Sequence, residues 1–70
     1  MPRVVPSVAR ALDVLGLLQD SSTISVPAIC RRLGMPRSTA HELVNTLIAG
    51  RFLAPVENDP HRFTLGLRVF

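Results

Sequence analysis

Apolar residues recur along this 70-residue chain in three helical stripes, followed by two short alternating runs. The first stripe is Val8, Ala11, Leu12, Leu15 and Leu18. Its three-and-four spacing predicts a helix running from a Ser7 N-cap to about residue 19. Gly16 inside it costs about 1 kcal/mol against Ala, and close packing against another helix is the expectation that would account for it. The second stripe is Val26, Ile29, Cys30 and Leu33. Ser25 reads as the N-cap of that helix, Pro27 fits its first turn, and Gly34 suits a left-handed C-cap. Ala28 stands where a capping box would place Glu, so that support is missing. The third stripe is Ala40, Leu43, Val44, Leu47 and Ile48, within a helix expected over 36–49 and stopped by Gly50.

Between the first two helices, residues 23–25 suggest a very short strand. Residues 52–56 read as a second strand, with Pro55 placing it at an edge or near its end. Residues 57–61 form turn chemistry, and 62–65 a third strand with Phe63 and Leu65 on one side. The order is helix, short strand, helix, turn, helix, hairpin. That order predicts a mostly α fold with a small β-hairpin: a winged helix-turn-helix, or three-helix bundle plus wing. Pro2 and Pro6 oppose helix, so residues 1–6 are expected to be a flexible arm ahead of a domain over 7–65.

The third helix has two chemically distinct sides. Ser38 and Asn45 fall roughly opposite its apolar stripe, and His41 and Glu42 lie on the same polar side. A helix that docks on one side and offers short hydrogen-bonding side chains on the other suits insertion into the major groove of DNA. Charge agrees with that reading: the formal net charge is +3, and every basic residue is Arg. The planar guanidinium favours two-pronged contacts with phosphate or guanine, although a GC-rich coding sequence produces the same bias.

Composition narrows the alternatives. A hydrophobic content of 47% supports a packed core and opposes a disordered tail. No apolar run has the length to cross a bilayer, and the start lacks a signal-peptide pattern, so a cytoplasmic protein is expected. Cys30 is the one cysteine and reads as a small buried hydrophobe; His41 and His61 lack zinc-site spacing to it, so no metal or other cofactor is expected. No nucleophile–base constellation or phosphate-cradling glycine loop points to an enzyme. The absence of Tyr and Trp argues against an RNA base-stacking platform. A winged-helix module for protein interaction or dimerisation, without DNA readout, is the alternative.

Three stretches together resemble a known family: SVARALDVLGLL at 7–18, ICRRLGMPRSTAHELVNTL at 29–47, and AGRFLAPVENDPHRFTLGLRVF at 49–70. They are similar to the amino-terminal DNA-binding domain of IclR-type bacterial transcription regulators. The most specific piece is LGMPRSTAHEL followed by NTL. The resemblance implies a homodimer or dimer of dimers on a pseudo-palindromic operator. It also implies a small-molecule effector bound only by a carboxy-terminal domain outside these residues, with a linker helix starting within 66–70. It makes the third helix the recognition helix, with Arg37, Ser38, Thr39 and His41 at DNA-facing positions. Glu42 departs from the family, in which a basic residue often follows the His. A carboxylate there is unfavourable near phosphates unless it accepts from cytosine N4 or pairs with Arg.

The remaining candidates lie around this helix. Asn45 is within reach of adenine or the backbone, and Arg31 of the phosphates where the second helix crosses the groove. Arg51 sits at the helix–strand corner. The wing offers His61 and Arg62, of which Arg62 is the candidate for the backbone or minor groove. The DNA-binding set is therefore Arg37, Ser38, Thr39, His41, Glu42, Asn45, Arg62, Arg31 and Arg51. The first helix is expected to pack partly inward and to offer the rest of its stripe to a second copy.

Overall fold

The computed structural model describes residues 3–66. Helix α1 (Pro6–Gly16) continues into a single 3-10 turn (Leu17–Gln19). Strand β1 (Ile24–Ser25) leads directly into helix α2 (Val26–Leu33), and helix α3 (Arg37–Ala49) follows after a tight turn. Strands β2 (Leu53–Val56) and β3 (Asp59–Leu65) complete an antiparallel sheet in the order β1-β3-β2. This is a winged helix-turn-helix, with the short β1 enlarging the expected hairpin to three strands. The expected linker helix lies outside the described residues, apart from Gly66.

Helix ends follow local chemistry. The α1 cap is Val5 rather than Ser7, and no side chain bonds to that end. Pro6 explains the shift, because its fixed φ and missing N–H suit the first position of a helix. Ser25 does cap α2, its hydroxyl accepting from the Ala28 N–H at 3.4 Å. Gly34 closes α2 in the left-handed conformation, φ 64°, with its N–H donating to the Cys30 carbonyl at 2.9 Å. Helix α3 starts one residue later than expected, at Arg37, with Pro36 as an N-cap in extended conformation. Proline fits that boundary because its ring presets φ and offers no N–H to leave unpaired.

The core is formed by Val14, Ile24, Val26, Ile29, Met35, Ala40, Val44, Leu47 and Leu53. Ala40, Val44 and Leu47 belong to the α3 stripe, with Leu43 and Ile48 packed beside them. The α1 stripe was placed differently by the sequence. Val8 and Leu12 remain exposed, whereas Val14, outside that stripe, is fully buried. On a helical wheel, the docked side of α1 is turned by about 70° from the stripe's centre toward Val14. Its apolar surface is therefore wider than the part the fold covers.

The wing differs from expectation at both ends. Strand β2 begins at Leu53, not residue 52, and β3 begins at Asp59, because the hairpin turn takes only residues 57 and 58. Pairing is Leu53↔Leu65, Ala54↔Thr64 and Pro55↔Phe63, then slips to Val56↔Asp59. Residues 60–62 thus leave the β2 ladder. Pro60 at that break has no N–H to give it. Strand β3 is also held from the other side, where Ile24 faces Phe63 and Ser25 faces Arg62. Below the wing, the Phe52 N–H donates to the Leu47 carbonyl and the Gly66 N–H to the Phe52 carbonyl, each at 2.8 Å. Only glycine fits at 66, because a Cβ there would collide with the Arg51 carbonyl.

Candidate nucleic-acid interface

Packing of the α3 stripe decides what the helix presents outward. With Ala40, Val44 and Leu47 buried, Arg37, Ser38, His41, Glu42 and Asn45 are all exposed. Thr39 is half-buried at the side of the helix. Measured from the stripe's centre on a helical wheel, Glu42 and Ser38 lie within about 30° of the outward direction. Arg37 and His41 fall instead on one flank.

Among the described residues, no side chain caps the beginning of this face. The Pro36 cap supplies no side-chain acceptor, and no acidic residue occupies the first turn of α3. The first amides of a helix lack intrahelical partners and carry the positive end of its dipole. Farther along, the Thr46 hydroxyl donates to the Glu42 carbonyl at 2.8 Å, which keeps Thr46 turned back onto the helix.

The wing stands beside the flank that carries Arg37 and His41. Between them runs a cleft of about 430 Å³, lined by those two residues and by Asp59, His61 and Arg62 from β3. The Arg62 Nε donates to Thr23 Oγ1 at 3.0 Å, and Thr64 Oγ1 donates to the Ser22 carbonyl at 3.0 Å. These two bonds tie the wing to the loop before β1. Asp59 Oδ1 accepts from the His61 N–H at 3.2 Å, so this carboxylate is engaged in shaping the wing. Sequence reading missed Thr23 as the residue that holds Arg62. The two are 39 positions apart, and only the β1–β3 pairing brings them together.

Arg31 and Arg51 do not join this cleft. Arg31 and Arg32 occupy the exposed last turn of α2, where cations favour the negative end of the dipole. Arg51 is exposed at the corner after α3 and takes the left-handed conformation, φ 68°, while Gly50 itself is right-handed, φ −83°. It borders a separate groove of about 320 Å³ with Ile48, Leu53 and Pro55. Among the described residues, no helix is long and apolar enough to cross a membrane.

The IclR helix-turn-helix domain model matches residues 7–57. The chain belongs to that family. An HTH-type transcriptional regulator of Escherichia coli K12, RhmR, described as uncharacterized, is 42% identical over 50 residues, covering 71% of this chain and 19% of the relative. The crystal structure of an IclR transcriptional regulator from Alicyclobacillus acidocaldarius superposes with a TM-score of 0.85 at 30% identity, covering 97% of this chain and 28% of the other. Pseudomonas aeruginosa HmgR gives a TM-score of 0.77 at 27% identity, covering 93% of this chain and 28% of that one. This chain therefore spans less than a third of the length of each of these relatives. Family and fold are those of the helix-turn-helix domain of IclR-type transcriptional regulators.

Proposed function

We propose that this IclR-type domain binds double-stranded DNA by sequence, with residues 36–49 as recognition helix in the major groove and the wing on the backbone or minor groove. The observation that carries the reading is the outer face of α3. Ser38, Glu42 and Asn45 stand exposed on it, with Arg37 and His41 exposed along its flank, above a stripe held in the core. Arginines and the open helix start supply affinity through phosphates, which is largely independent of sequence. Ser38, Glu42 and Asn45 supply discrimination at base edges. Thr39, Arg31 and Arg51 are assigned to flanking backbone contacts.

The regulator acts in the cytoplasm as a homodimer or dimer of dimers on a pseudo-palindromic operator. Support for pairing comes from α1, where Val8 is 55% and Leu12 61% exposed, with Val5 at 56% just before the helix. That much apolar side chain left in water favours a second copy as its cover. Effector binding belongs to the part of the regulator outside this domain.

The test is Arg37→Ala in the full-length chain. Affinity for a selected site should fall about tenfold with the thermal melt unchanged, since an exposed Arg lost from a charge-assisted contact forfeits on the order of 1.4 kcal/mol. If each protomer neutralises about four phosphates, log K should fall against log salt with a slope near −3.6 per protomer. A flat salt response without sequence preference would leave only the protein-interaction reading.

A further inference from the structure

Arg62 stands where the wing is held from one side only. Strand β2 pairs with β3 at Phe63 and again at Asp59, so residues 60–62 have no partner on that side. Their support comes from the other edge, where Ser25 faces Arg62 and Ile24 faces Phe63. That supporting strand, β1, is two residues long. A ribbon this short is marginally stable in water. Two side-chain bonds reinforce it. The Arg62 Nε donates to Thr23 Oγ1 and Thr64 Oγ1 donates to the Ser22 carbonyl, each at 3.0 Å.

The two bonds fix different things. The Thr64 bond ends on backbone and holds the strand beside the loop over 20–23. The Thr23 bond ends on a charged side chain. It engages the Nε–H, whereas the forked terminal nitrogens of a guanidinium are what meet a phosphate or a base edge. Thr23 is a firm anchor for that side chain, because Ile24, the next residue, is buried in the core. A line of contacts thus runs from the core through Ile24 and Thr23 to a wing arginine 39 positions away.

We infer that Thr23 is a positioning residue for DNA binding, its hydroxyl holding the Arg62 guanidinium in the orientation in which the wing meets the duplex. The inference rests on the DNA-binding reading and adds to it a residue that acts without touching DNA. The Thr23–Arg62 bond is exposed, so it adds little to folding stability. Its contribution falls on binding, since a side chain already set in place has less freedom to lose when the ligand arrives. Such a role has its own signature. Removing the Thr23 hydroxyl leaves every positive charge in place, so affinity falls while the salt slope stays. The effect also passes through Arg62 alone, so it disappears once Arg62 is gone.

The experiment is a double-mutant cycle in the full-length chain: Thr23→Val, Arg62→Met and the two together, with Thr23→Ser as the conservative variant and a thermal melt for each. Affinity for a selected duplex is measured across a salt series. Thr23→Val should bind about threefold more weakly per protomer, the loss expected of one hydrogen bond, with the parent's slope. Thr23→Ser should restore the parent's affinity. Arg62→Met should weaken binding and reduce the slope by about 0.9 per protomer. Adding Thr23→Val to Arg62→Met should change affinity no further. Parental affinity in Thr23→Val overturns the inference. So does an equal loss with and without Arg62, whether or not the melt falls, because Thr23 then acts on the fold and not through the guanidinium. In either case a parent chain that prefers the selected duplex leaves the DNA-binding reading standing. A parent chain that binds no duplex overturns both.

Discussion

Helices α2 and α3 are neighbours in one helix-turn-helix, yet their starts are treated oppositely. At the start of α2 the Ser25 hydroxyl accepts a backbone N–H, and at its end Gly34 returns its own N–H to the Cys30 carbonyl. Helix α3 begins at Pro36 with no side-chain cap, and an arginine is its first residue. Both bury a stripe in the same core. The contrast separates two demands on a helix. One that only supports the fold gains by satisfying its terminal groups within the chain. One that meets an anion gains by leaving its first amides open.

The largest effect that sharpens this contrast is in the shared core. Ile29→Ala on α2 should cost about 2–5 kcal/mol, because Ile29 is fully buried and its removal leaves a cavity. In a domain this small, that loss should appear in urea denaturation as a large drop in midpoint or an unfolded chain. Gly34→Ala comes next. Its φ of 64° suits Gly, so Ala there should cost about 1 kcal/mol, read from the same transition. Ser25→Ala should cost less, about 0.5 kcal/mol, because a 3.4 Å capping bond lies at the long end of the range.

The smallest effect is the most informative about α3. Pro36→Ser supplies the missing acceptor to the first turn. It should raise stability by at most about 0.3 kcal/mol, because losing proline's preset φ offsets part of the capping gain, and lower DNA affinity a few-fold, as the new hydroxyl competes with phosphate for the same N–H groups. Stability and affinity moving in opposite directions would set α3 apart from α2. A loss of stability with affinity unchanged would dissolve the contrast.

Much of this arrangement was legible in the sequence where one local rule dominates. The α3 stripe appeared because 3.6-residue periodicity and burial coincide along it, and Ser25 and Gly34 were readable because capping chemistry is local. Helix α1 was misread for the opposite reason. Its apolar residues cover more than one face, so periodicity alone could not choose Val14 over Val8 and Leu12 as the docked side. Gly50 ends α3 as its position predicts, and the left-handed conformation falls one residue later, on Arg51. The Gly66 N–H to Phe52 carbonyl bond closes the chain around this corner, and Gly66 packs against the Arg51 carbonyl.

The candidate site divides along the same line. Ser38, Glu42 and Asn45 follow from helix geometry once the stripe is known. The cleft does not, because it depends on β3 pairing with β1, a contact between segments far apart in the chain. His61 therefore looked like a turn residue until the register break placed it opposite His41.

Selection of preferred duplexes from random DNA tests the outer face of α3 most directly, comparing the parent full-length chain with a triple variant, Ser38→Ala/Glu42→Ala/Asn45→Ala. The account predicts a palindromic consensus for the parent, with its specified positions lost in the variant although that protein stays folded and still binds DNA in low salt. Enrichment of the same consensus by both proteins would contradict it.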